Sequence, residues 1–188
     1  MAGGLADTKP HASLDDFVED LAVPHRAQRA RLHLMLVGAE GVDALRRGLH
    51  HPNARVRVGC CVILDHHLEE SCIPSLIENL THDDAEVRAW AAHALACDRC
   101  KEGSCRPGED QIVPMALAML RDDPDHRVRE KLVGVLGPAV HRRSDVLIAL
   151  ESTKTEDPHP MVRKLAGWWV PGGSRYERTL PREQRTRR

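Results

Sequence analysis

Aromatic residues are scarce in this 188-residue chain, at 3%, with Phe17 and Tyr176 each the sole example of its type. A β-sandwich core leans on aromatic and β-branched side chains. The scarcity therefore turns the reading toward closely stacked helices with small and aliphatic residues between them. Net charge is nearly absent as well: a formal value of −1 gives no global field to draw the molecule onto nucleic acid or anionic lipid. Long apolar runs are missing too. The stretch Val58 to Leu64 falls far short of the ~20 residues a membrane-crossing helix needs. Met1 to Pro10 contains no apolar run and no cleavage-like site, so the expectation is a soluble cytoplasmic protein. Against that compartment, six cysteines are many: Cys60, Cys61, Cys72, Cys97, Cys100 and Cys105. They call for burial, metal binding or redox activity.

What the chain does have is repetition. A phrase of His or Asp, then Pro or Asp, three further residues and Val-Arg occurs four times. It reads His51-Pro52…Val56-Arg57, His82-Asp83…Val87-Arg88, Asp123-Pro124…Val128-Arg129 and Asp157-Pro158…Val162-Arg163. The valines lie 31, 41 and 34 residues apart, the period of a repeat protein rather than of a single core. A polar residue followed by Pro reads as an N-cap and first helical position, where the missing N–H costs nothing.

Between the phrases, apolar residues recur three and four apart. The first helix of each unit carries Val42, Leu45 and Leu49; then Ile73, Leu76, Ile77 and Leu80; then Ile112, Met115, Met119 and Leu120; then Val146, Leu147 and Leu150. The second helices bury Val56, Cys60, Ile63 and Leu64, then Val87, Ala91, Ala94 and Leu95, then Val128, Leu132, Val135 and Leu136. Pro74 and Pro114 are expected in first turns, where proline is tolerated. Ser13 caps a short first helix, and Arg26 to Val37 forms another that ends at Gly38. Helix pairs of this size cannot bury their apolar faces alone and must stack. The fold class is all-α, a right-handed α-solenoid of about four to five helix pairs over residues 13–172. Residues 1–12 are expected to be a disordered lead-in, and 173–188 a flexible basic tail with six arginines.

Paired helices with Asp/Pro…Val-Arg…Ala-x-x-Ala-Leu resemble HEAT repeats of the bilin-lyase-like type over roughly residues 24–170. The stretches Leu64-Asp65-His66-His67 and Cys97-Asp98-Arg99-Cys100-Lys101 resemble those of a group of bacterial HEAT proteins. The resemblance implies the fold. It leaves function open, because such stacks serve scaffolds and enzymes alike.

Chemistry concentrates at one place. The spacing between the second and third Val-Arg pairs exceeds that between the first and second by an insertion at about Lys101 to Asp110. It brings Cys105 near Cys97 and Cys100 and gives His93-x3-Cys97-x2-Cys100-x4-Cys105. Those are ligand types and spacings that zinc accepts. On a helical wheel His93, Cys97 and Cys100 share a face about 60° wide, and Cys105 is the expected fourth ligand if the loop folds back. Such a closed set makes the zinc structural, pinning the inserted loop. From the preceding repeat Asp65, His66, His67 and Glu69 are supporting or alternative ligands. Cys97 and Cys100 have a redox spacing as well, and packing alone is the third reading of the cysteines.

Trp90 and the four arginines Arg57, Arg88, Arg129 and Arg163 are the candidate interaction surface. The arginines have a competing role: pairing with acidic or carbonyl groups of adjacent repeats. His51, His82, His126 and His159 read as surface residues at or beside the caps. The function expected is a non-enzymatic scaffold for a protein partner, with zinc as cofactor. Three alternatives stand beside it. One is a metal-dependent enzyme, either bilin-lyase-like or resembling the di-iron HEAT hydroxylases. That would take iron through the harder ligands of Asp65 to Glu70, though the chain has no His-Glu dipeptide. Another is a thiol redox-sensitive adaptor. The last is nucleic-acid binding, which the near-neutral charge confines to the Arg-rich tail.

Overall fold

The computed structural model describes residues 13–97 and 107–181. The helices α1 (Leu14–Asp20), α2 (Pro24–Val37), α3 (Val42–Gly48), α4 (Ala54–Leu64), α5 (Ile73–Asn79) and α6 (Ala85–Ala96) are followed by α7 (Glu109–Asp122), α8 (His126–Leu136), α9 (Ser144–Glu156), α10 (Pro160–Gly167) and α11 (Ser174–Thr179). They pair as α1/α2, α3/α4, α5/α6, α7/α8 and α9/α10. The second members α4, α6, α8 and α10 lie side by side in a row. The architecture is an α-solenoid, and one apolar core runs its length.

Local chemistry sets the helix limits. Ser13 begins α1 with a capping box: its Oγ accepts the Asp16 N–H, and the Asp16 carboxylate accepts the Ser13 N–H. Gly38 ends α2 with φ at +56°, a conformation that favours glycine. The apolar positions expected from the three-and-four spacing are inside. Val56, Cys60, Leu64, Leu76, Val87, Ala91, Leu132, Val146 and Leu150 are fully buried.

Two boundaries differ from the sequence reading. Pro114 sits inside α7 rather than in its first turn, because α7 begins at Glu109 and takes in the end of the expected insertion. Lys101 to Arg106, like the lead-in 1–12, lie outside the described residues. The tail begins as a helix. Tyr176 of α11 packs on the core and Leu180 is buried, while Arg175 stands over the rings of Trp168 and Trp169. Trp169 is 4% exposed, and its ring lies where a side chain on Gly137 would have to go. Glycine is required there by close approach.

The repeated phrase has a different geometry from the one its sequence suggested. The N-caps of α4, α6, α8 and α10 are Asn53, Asp84, Asp125 and His159, two residues beyond the first residue of each phrase. That first residue turns the chain into the cap instead, in the manner of an Asx-turn. His51 Nδ1 accepts the Asn53 N–H at 3.0 Å, and His82 Nδ1 accepts the Asp84 N–H at 3.0 Å. Asp123 Oδ1 accepts the Asp125 N–H at 2.9 Å, and Asp157 Oδ1 accepts the His159 N–H at 2.8 Å. Since Nδ1 of His51 is an acceptor, its proton is on Nε2, which donates to Glu19 Oε1 at 3.0 Å.

The carbonyl of the same residue holds the phrase's own arginine six positions on. Arg57 donates to His51 O, Arg88 to His82 O, Arg129 to Asp123 O and Arg163 to Asp157 O, at 2.6, 2.8, 2.6 and 2.6 Å. Three of these guanidinium groups also reach the next repeat. Arg88 forms a bidentate pair with Asp123 at 2.8 and 2.8 Å, and Arg129 one with Asp157 at 2.7 and 3.0 Å. Arg57 meets the amide oxygen of Asn79 at 2.9 Å. Val-Arg therefore recurs because valine fills the core and arginine bolts one repeat to the next.

Candidate metal centre

The end of each second helix opposite its arginine does not repeat, and there the chemistry gathers. Helix α4 stops at Leu64. Asp65 follows as its C-cap in helical conformation, with its N–H on Cys61 O at 2.9 Å. That geometry turns the Asp65 side chain inward, and the residue is only 2% exposed. Burying a carboxylate is costly unless a charged or strongly hydrogen-bonding partner meets it. The partner comes from α6: His93 Nε2 lies 3.3 Å from Asp65 Oδ2. One turn further on, Cys97 caps α6 and brings its thiol to the same face as His93.

Asp65, His93 and Cys97 each offer one ligand atom, and these atoms lie within 4.8 Å of one another. Burial pulls the His93 imidazole toward its neutral form. The Asp65 carboxylate and the Cys97 sulfur outweigh it and hold the pKa up to about 9. The surroundings continue the charge pattern. His66 Nε2 stands 3.9 Å from Asp65 Oδ2. The Trp90 ring meets His93 edge-on at 5.4 Å, and Lys131 Nζ sits 3.6 Å above Trp90. Burial lowers the Lys131 pKa, which Asp65 and Glu86 resist. Trp90 and Lys131 line a shallow cavity of about 330 Å³ with Ala85, Glu86, Ala89 and Arg127.

The donor set suits a borderline metal. Carboxylate, imidazole and thiolate are all zinc ligands, and bonds of ~2.0–2.3 Å in tetrahedral array separate neighbouring ligand atoms by about 3.3–3.8 Å. The Asp65–His93 separation already has that size. Without metal the same atoms make an ion pair that ties α4 to α6.

Of the four ligands read from sequence, the structure brings His93 and Cys97 together, while Cys100 and Cys105 lie outside the described residues. The helical wheel placed Cys97 and Cys100 on one continuing face, but α6 ends at Ala96 and Cys97 has extended backbone, with ψ at 98°. Asp65 joins the cluster directly. Among its neighbours, His66 stays at the rim and His67 and Glu69 are exposed. Cys60, Cys61 and Cys72 are buried among apolar groups. Burial raises the thiol of each, Cys61 to about 12, so they serve packing. Of the four arginines read as a candidate interaction surface, Arg57, Arg88 and Arg129 spend their guanidinium groups on the next repeat, while Arg163 holds the carbonyls of Asp157 and Pro158 in its own phrase. Sequence reasoning missed one group altogether: His126, Glu130 and His159, whose ligand atoms also lie within 4.8 Å of one another. Its signal was the His126-x3-Glu130 spacing.

Stacked helix pairs with a shared core and an inter-repeat arginine ladder define a helical repeat protein. Residues 42–137, helices α3 to α8, match the family of HEAT repeats, and the chain belongs to that family. The crystal structure of an engineered protein from the Northeast Structural Genomics Consortium is similar at a TM-score of 0.50 and 22% identity. The match covers 82% of this chain and 78% of that one; at such identity the likeness is one of fold. No curated protein matches the sequence. Among the described residues no helix is long and apolar enough to cross a membrane.

Proposed function

We propose that this protein is a non-enzymatic interaction scaffold of the bilin-lyase-like HEAT type, with zinc bound at Asp65, His93 and Cys97. Cys100 and Cys105 are the candidates from sequence for the remaining coordination. The observation that supports the metal is the convergence of three different ligand types from two repeats on one buried point. The metal's job is mechanical: it clamps the end of α4 to the end of α6, at the start of the insertion. The docking surface is the row of second helices around Trp90, with Arg127 and Lys131 beside it.

Metal content of tag-free protein tests the first part. About one zinc per chain, lost in Cys97→Ser and in Asp65→Asn, supports it. Full zinc in both variants, or no metal in the wild type, ends it, and iron in place of zinc turns the reading toward an enzyme. For the second part, partners captured by the wild type are compared with those of Trp90→Ala/Lys131→Glu and of Ile148→Ser, an exposed residue on α9. Loss with the first variant alone supports docking at Trp90. Identical capture by all three refutes it.

A further inference from the structure

The next joint in the row, between α8 and α10, carries a separate cluster. His126 opens α8 and Glu130 lies four residues on, so the two side chains leave one face a single turn apart. His159 is the N-cap residue of α10 but makes no side-chain capping bond. Its ring turns sideways and stacks on His126, centroids 3.8 Å apart and planes 20° from parallel. The stack places two ring nitrogens near one carboxylate oxygen. His159 Nδ1 is 3.5 Å from Glu130 Oε1, and His126 Nε2 is 4.0 Å from it. His159 Nδ1 is buried and makes no hydrogen bond, an arrangement that costs free energy unless something else uses its lone pair.

We infer that His126, Glu130 and His159 bind a divalent transition-metal ion, with zinc the best fit, in an open site across α8 and α10. Two imidazoles and one carboxylate form a donor set of catalytic zinc sites, where the fourth position is left to water or an incoming group. Bonds of ~2.1 Å place tetrahedral ligand atoms about 3.4 Å apart, close to the observed 3.5 and 4.0 Å, and binding requires one of the stacked rings to turn so that both nitrogen lone pairs meet the ion in their ring planes. The three side chains are 42%, 27% and 36% exposed, which lets an ion enter and leaves the open position reachable from solvent. No thiol takes part, so the site differs in kind from that at Cys97 and does not depend on it.

The test is cobalt(II) and zinc titration of the metal-free full chain without a tag, followed by absorbance and competition with a chromophoric chelator. The Cys97→Ser variant is expected to keep one equivalent, with cobalt d–d bands and no thiolate-to-cobalt charge transfer. Glu130→Gln and His159→Ala should each weaken that equivalent at least tenfold while leaving any charge-transfer signal of the wild type in place. If the Cys97 site binds nothing, the wild type itself shows the single thiolate-free equivalent. Circular dichroism confirms that the variants fold, and Glu130→Gln changes no helix propensity of note. Titrations of Glu130→Gln and His159→Ala that match the wild type overturn the proposal.

Discussion

The two halves of this stack solve the same joint with different chemistry. In the C-terminal half the phrase opens with Asp, and that one residue does three things. Asp123 turns the chain into its cap, holds Arg129 on its carbonyl and accepts Arg88 from the repeat before; Asp157 turns the chain, holds Arg163 and accepts Arg129 in the same way. In the N-terminal half the phrase opens with His. His82 turns the chain through Nδ1 and holds Arg88 on its carbonyl, but it offers no carboxylate to Arg57. Asn79 supplies the missing acceptor from the end of α5. It is itself fixed by N–H bonds to Leu49 O and Ser75 O at 3.0 and 2.7 Å. The lesson is that turn, carbonyl anchor and inter-repeat link are separable duties. The first two are kept in all four phrases, and the third moves when the residue type changes.

The sharpest way to break this comparison is to remove the arginines one at a time. Arg129 and Asp157 are 7% and 4% exposed at their side chains, so Arg129→Ala leaves a buried carboxylate without its cation. The expected loss is ~3–5 kcal/mol. Arg57→Ala removes a charged hydrogen bond to a neutral amide and should cost ~1.5–3 kcal/mol. Urea denaturation of both variants reads the difference. Equal midpoints would mean that the charged and neutral joints do the same structural work.

The repeat period, the apolar spacing and the pairing of helices were all legible in the sequence, because burial repeats with the chain and leaves a periodic trace. The Val-Arg positions were legible as special, and an acidic or carbonyl partner was among the expectations for them. Which acceptor each arginine takes was not, since Asn79 belongs to a helix end outside the phrase. Likewise His93 and Cys97 stood out as an i, i+4 pair of ligands, whereas Asp65 was read only as a supporting or alternative ligand, on a par with His66, His67 and Glu69. A C-cap's side-chain direction depends on where the helix stops, and hydrophobic periodicity fixes that only to within a residue or two. His126 and His159 read as cap neighbours because sequence distance conceals that α8 and α10 lie side by side.

Acid should separate the halves next. Burial alone would raise the Asp157 carboxyl, but the Arg129 guanidinium and the His159 N–H hold it below its ordinary value. A carboxylate depressed in the folded state contributes stability above its unfolded pKa of ~3.9 and loses it as pH falls through the folded value. Wild-type stability is therefore expected to fall over that range, with a shallower slope in Asp157→Asn. Alkali acts on the other cluster. His93, raised to about 9, contributes fully below the unfolded pKa of ~6.5 and loses its contribution as pH rises through the folded value. Metal-free protein should weaken across that window, and His93→Gln should flatten the response. Identical alkaline profiles for wild type and His93→Gln would show that Asp65 is held by other groups.

The smallest expected effect is also the most pointed. If the inter-repeat link is a duty that Asp performs and His cannot, then His82→Asp should convert the Arg57 joint to the type seen at Arg88 and Arg129. The new carboxylate would keep the turn, since Asp accepts an N–H two residues on as readily as His Nδ1 does. It would also give Arg57 a charged acceptor beside the neutral amide of Asn79. The gain should be modest, ~0.5–1 kcal/mol, because Arg57 already has two hydrogen bonds and is partly exposed. In Asn79→Ala, where Arg57 has lost its amide partner, the same substitution should recover more of the stability than it adds to the wild type. A double-mutant cycle between positions 79 and 82 measures that coupling. Strict additivity would mean that Arg57 does not reach position 82, and that the register shared by the later repeats stops at the second.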